Sequence, residues 1–162
     1  MKKSWQEKLS NKKGLPKVLR LEKRFPCYNA VHRMGANVGD DVVLVNPSEV
    51  VEVMRAVPIG RLITLSEICR RVAKKHRVKA CCSLTTGIFI MTAANATEEV
   101  AEEDRRLDIP YWRTLKAGGL LNEKYPGGAE AHRQLLVQEG FHVVQRGRKL
   151  VVSDYEKYLA DL

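Results

Sequence analysis

Thiols are the strongest nucleophiles a protein offers near neutral pH, and this chain carries four: Cys27, Cys69, Cys81 and Cys82. None forms a C-x-x-C pair, and the adjacent Cys81 and Cys82 have poor geometry for sharing a metal or closing a disulfide. Reduced, mostly buried thiols in a cytoplasmic protein are therefore expected. His76, His132 and His142 show no metal-ligand spacing and are expected at the surface. No metal and no cofactor is expected.

The second kind of chemistry is electrostatic. Lys and Arg number 28 against 19 Asp and Glu, a formal net charge of +9. Such a surplus favours an anionic partner, and nucleic acid offers the densest row of phosphates. The cations Arg70, Arg71, Lys74 and Lys75 crowd one short segment and suit phosphate contact; a solvated helix face is the alternative. Arg146, Arg148 and Lys149 form a second cluster. Lys2, Lys3, Lys8, Lys12, Lys13 and Lys17 form a third, at the start of the chain. The opening residues lack the apolar stretch of a secretory signal, and no apolar run is long enough to span a bilayer, so no membrane partner is expected.

Elements that would position these groups can be traced along the chain. Residues 1–46 read as a basic N-terminal extension, broken by Gly14 and Pro16, with a short strand at Val42–Val45. Residues 47–162 read as one domain. Asn46-Pro47-Ser48-Glu49 combines a cap, a first-turn proline and a glutamate, and opens a helix that Pro58 and Gly60 end. Thr64-Leu65-Ser66-Glu67 opens a second helix, which carries the Arg70–Lys75 cations. A third, more apolar segment follows Ser83–Gly87 and runs from Ile88 to Ala96. Thr97 is expected to cap a separate acidic helix whose carboxylates are solvated. Ile109–Arg113 reads as extended, Ala129–Glu139 as a helix closed by Gly140, and Phe141–Val144 with Leu150–Val152 as a hairpin with a cationic tip. The expected fold class is mainly α with short β.

Three of these blocks resemble the alkylguanine-DNA alkyltransferase family and its alkyltransferase-like members. Val57–Ile68 resembles the segment that opens the family's helix-turn-helix. Ile109-Pro110-Tyr111-Trp112-Arg113 resembles its active-site strand, usually I-P-C-H-R, and Pro126-Gly127-Gly128 with the helix to Glu139-Gly140 resembles its S-G-G-L segment and closing E-G. The match covers roughly residues 47–144. It implies a winged helix-turn-helix-like domain with a C-terminal β-hairpin. It also implies contact with double-stranded DNA beside the basic helix through Thr85, Thr86 and Asn95, for which helix capping and ordinary surface are the alternative, and through Arg113, whose alternative role is to order neighbouring loops. A base turned out of the stack would enter a pocket lined by Tyr111, Trp112, Tyr125, Gly127 and Gly128.

The resemblance also implies a loss. The family's acceptor cysteine is replaced by Tyr111 and its histidine by Trp112, which leaves Glu139 without its usual orienting task. A phenol, with a pKa near 10, is a poor nucleophile, and no neighbouring base remains to activate it. No arginine stands in Ser83–Gly87 at the place of the family's arginine finger, and Leu65 replaces a tyrosine. The expectation is a non-enzymatic DNA-binding protein that recognises alkylated guanine by base flipping and hands it to a repair-protein partner. The alternative is a winged-helix regulator or partner-binding module with no lesion pocket. An enzymatic reading would need Cys81 or Cys82 as a displaced acceptor, but both lie by the helix-turn-helix turn, away from Pro110–Arg113.

Overall fold

The fold is built around α5 (Ser83–Ala101), an almost uninterrupted run of apolar and small residues. A helix that is apolar on most sides must be covered on most sides. Here α1 (Trp5–Ser10), α3 (Pro47–Ala56) and α4 (Leu65–Lys75) pack around it. The computed structural model describes residues 4–12 and 14–162, so Lys2, Lys3 and Lys13 of the basic start lie outside the described residues.

The helix-end signals at Asn46, Thr64 and Gly140 hold. Asn46 accepts from the Ser48 amide, and Glu49 accepts from the Asn46 amide at 3.1 Å, with Pro47 in the first turn of α3. Thr64 accepts from the Glu67 amide at the start of α4. α6 (Gly128–Gln138) ends at Gly140, whose φ of 89° suits glycine. The hairpin forms as β6 (Val143–Arg146) and β7 (Lys149–Val152), with Gly147 and Arg148 at its tip. It sits over a small core of Leu62, Leu115, Leu121, Leu136, Phe141 and Val152.

Four features depart from the sequence expectation. The short strand expected at Val42–Val45 is present, but residues 17–44 around it form a packed unit. β1 (Lys17–Arg20) pairs antiparallel with β2 (Asp41–Leu44), which pairs in parallel with β4 (Ala80–Cys81) beyond α4. With α2 (Tyr28–Arg33) between them, these strands enclose a core of Leu21, Cys27, Val31, Ala36, Val42, Ala80 and Cys82. The architecture is therefore mixed α/β. A further parallel pair joins β3 (Ile63–Thr64) to β5 (Thr114–Leu115).

Second, Thr97 caps nothing: its hydroxyl donates to Ala93 O at 2.7 Å within α5, which runs on to Ala101. Third, the acidic block is not all solvated. Glu98 accepts from the Tyr111 hydroxyl, and Glu99 accepts from the Trp5 and Gln6 amides at 3.1 and 3.3 Å, capping α1. Fourth, Tyr111–Arg113 is a 3-10 turn rather than a strand. Among the described residues no helix is long and apolar enough to cross a membrane.

Candidate nucleic-acid interface and the filled pocket

The four cations predicted on α4 face two different grooves. Arg70 and Lys74 border both. Arg71 and Lys75 border only the second, where Glu67 and Asp161 also lie. Lys75 is further occupied by Glu49 at 3.2 Å. Burial pushes Glu49 upward, but the Asn46 amide, His76 and Lys75 outweigh it, so its carboxyl lies below the usual range. The first groove is larger, about 790 Å³, and is lined by α2, α4, the turn to β4 and the start of α5. Among the described residues its charged lining is Arg33, Arg70, Lys74 and Lys79, with no carboxylate. Arg70 also pairs with Glu67 at 2.8 Å, but it is largely exposed, so that bridge holds it weakly. Sequence reasoning missed Arg33, which reaches the groove from α2 through the β1–β2–β4 sheet, and Lys79, which follows α4 outside the Arg70–Lys75 cluster.

The polar side chains expected in the DNA groove are turned elsewhere. Thr86 is fully buried, and its hydroxyl donates to Cys82 O at 2.9 Å. Thr85 lies 3.3 Å from Cys82 Sγ, and Asn95 donates to Met91 O at 2.9 Å. Each donates to the preceding turn, as such residues do in helices. The outward side chains of the first two turns are instead Leu84 and Ile88.

Arg113 orders the scaffold rather than reaching outward. It grips Glu139 through Nε and Nη2 at 2.9 and 2.8 Å, and donates from Nη1 to Val57 O at 2.8 Å. Glu139 also accepts from the Trp112 indole at 2.9 Å, so it keeps an orienting task, with an indole N–H as the donor. One carboxylate thereby joins the end of α6, the Tyr111–Arg113 turn and the end of α3. His132, expected at the surface, is buried: it donates to Trp112 O at 2.8 Å and accepts from the Asn122 amide at 3.1 Å. Desolvation lowers its pKa to about 4.

The predicted pocket residues do assemble, but around a filled space. The Tyr111 ring is wholly buried and meets Trp112 and Tyr125 edge to face, with centroids 5.4 and 5.1 Å apart. Its hydroxyl donates to Glu98 at 2.8 Å. Burial, and then Glu98, push the phenol well above its ordinary pKa. Tyr125 is also buried and donates to Thr114 O at 2.9 Å. Gly127 takes a left-handed φ of 82° at the start of α6, where a Cβ would fall 2.6 Å from the Ala131 methyl, and Gly128 follows at φ 80°. Tyr111 and Tyr125 therefore offer no open face for stacking. Trp112 is half-buried and borders a separate cleft of about 410 Å³ with Arg55, Arg106 and Pro110. All four cysteines are buried and unpaired.

No known family profile matches the chain, and no curated protein sequence matches it. Two solved structures share its fold. One is S. pombe Atl1 in complex with damaged DNA containing O6-carboxymethylguanine, at a TM-score of 0.52 and 15% identity, covering 72% of this chain and 94% of that one. The other is S. pombe ATL in complex with DNA, at a TM-score of 0.51, again 15% identical with the same coverage. The chain has the fold of these proteins.

Proposed function

We propose that this protein binds double-stranded DNA through the α4–α5 helix pair, as a winged helix-turn-helix module of the alkyltransferase-like kind, and that it accepts no alkyl group. The observation that carries this reading is the acid-free groove lined by Arg33, Arg70, Lys74 and Lys79 beside the start of α5. Four cations without a carboxylate suit a row of phosphates. The fold shared with Atl1, solved in complex with damaged DNA, supports DNA as the ligand. The hairpin tip, with Arg146, Arg148 and Lys149, is then the wing.

Transfer chemistry is absent from this reading because the position that resembles the acceptor is a buried phenol held by a carboxylate. Recognition of alkylated guanine by base flipping is its finer form, with delivery of the lesion to a repair-protein partner. That form requires Tyr111 to leave its enclosure and break its bond to Glu98. The burial of Tyr111 favours a second form, in which the module binds intact DNA and acts as a regulator with no lesion pocket.

Binding to matched duplexes with and without O6-alkylguanine, at two salt concentrations, tests both. Salt-sensitive binding to both duplexes supports the reading. A preference for the lesion that disappears in Tyr111→Ala selects the first form, and equal affinity selects the second. Absence of binding to either duplex at low salt rejects both.

A further inference from the structure

The first two turns of α5 present an apolar pair to solvent. Leu84 is 48% exposed and Ile88 62% exposed, and their i, i+4 spacing places them on one face. Between them lies Gly87, in a helix interior where glycine costs about 1 kcal/mol relative to alanine. No packing demand explains it, since nothing among the described residues lies within 4 Å of the place its Cβ would occupy. A glycine with open space before it lets a partner approach the helix backbone closely.

The surroundings indicate what kind of partner. Ser83, next to Leu84, lines the groove that holds Arg33, Arg70, Lys74 and Lys79. From Ser83 to Thr97, α5 carries no acidic residue; the first, Glu98, lies 14 residues beyond Leu84, about 21 Å along the helix. The partner must therefore offer apolar surface flanked by dense negative charge. A DNA duplex does so when its bases part: the stacked faces are apolar and phosphates run along both sides. Minor-groove proteins insert leucine and isoleucine between base steps and kink the duplex.

We propose that Leu84 and Ile88 form an apolar wedge that enters the base stack, with Gly87 allowing α5 to approach the groove floor. The wedge rests on the DNA-binding reading above and names the side chains that contact the bases. It assigns no phosphate contact to Thr85 or Thr86, and it fills the gap between base pairs without an arginine.

The test uses the full chain and a duplex carrying 2-aminopurine, whose fluorescence rises on unstacking, with donor and acceptor dyes at its ends to report bending. Wild type should raise the 2-aminopurine signal and shorten the end-to-end distance. Leu84→Ala with Ile88→Ala should abolish both and weaken affinity about tenfold. Both positions are exposed, so the fold should survive. Gly87→Ala should raise the melting temperature while reducing the unstacking signal. Arg70→Glu with Lys74→Glu should weaken binding without abolishing unstacking in the complex that remains. Wild type that binds the duplex without unstacking or bending it overturns the wedge and leaves the DNA-binding reading intact. So does a Leu84/Ile88 variant that keeps both signals. Failure of wild type to bind the duplex at all overturns both.

Discussion

Tyr111 donates its hydroxyl hydrogen to Glu98 across 2.8 Å while its ring is wholly enclosed between Trp112 and Tyr125. The pair closes, from inside, the space where the resemblance to the alkyltransferases implies an acceptor. The phenol stays protonated, because burial and the neighbouring carboxylate both oppose its ionisation. Incubation with a duplex containing O6-alkylguanine should leave the intact mass unchanged, at pH 7 and at pH 9 alike. A stoichiometric gain of one alkyl group would show a competent acceptor and contradict this account.

The same enclosure makes Tyr111 a stability determinant. Tyr111→Ala should cost about 3–5 kcal/mol in urea unfolding, the usual price of emptying a large buried aromatic site. Tyr111→Phe should cost about 1–3 kcal/mol, because Glu98 loses its donor. A loss under about 1 kcal/mol for Tyr111→Ala would mean that the ring spends its time outside the pocket.

Glu139 ties three segments together through Arg113 and Trp112. The side chains of Arg113 and Glu139 are only 13% and 10% exposed, so removing one partner strands a buried charge. Arg113→Ala should destabilise the fold by about 3–5 kcal/mol. Trp112→Phe, which removes one hydrogen bond and part of a half-buried ring but strands no charge pair, should cost less. Equal costs by denaturant unfolding would show that Glu139 answers mainly to the indole.

The helices with strong local signals were legible in the sequence. The Asn46 and Thr64 caps and the terminating Gly140 fix α3, α4 and α6 from residues a few positions apart. The sheet of β1, β2 and β4 was not legible, because its register depends on pairing Val42 with Ala80 across the whole of α3 and α4. The groove was half legible for the same reason: Arg70 and Lys74 announce themselves as a cluster, whereas Arg33 arrives from α2 through that sheet. The Tyr111–Arg113 turn was misread because aromatic residues favour strands, and here side-chain bonds to Glu98 and Glu139 accompany a tight turn instead. The outward face of Leu84 and Ile88 was hidden by the low polarity of α5, which gives little contrast between its sides.

His132 gives the fold a pH dependence. Its pKa falls from 6.5 to about 4 on burial, so between those values the unfolded chain binds more protons than the folded one. Stability should therefore be full above pH 6.5 and decline toward pH 4, by about 3 kcal/mol in all. Glu49, lowered from 4.5, adds its own loss only below that value. His132→Gln should flatten the slope between pH 6.5 and 4.5 in denaturant unfolding, whatever its effect on stability at pH 7. A wild-type profile that is flat in this window would show that His132 is not enclosed.

The claim that the protein holds DNA through the acid-free groove is tested most directly by the salt dependence of duplex binding, measured by fluorescence anisotropy. If Arg33, Arg70, Lys74 and Lys79 each neutralise one phosphate, log K should fall against log salt with a slope of about −4. Arg70→Glu with Lys74→Glu should make that slope shallower by about 2 units. Arg71→Glu with Lys75→Glu, on the groove shared with Glu67 and Asp161, should change it much less. Equal slopes for the two double variants, or affinity indifferent to salt, would contradict the assignment of this groove to the phosphate backbone.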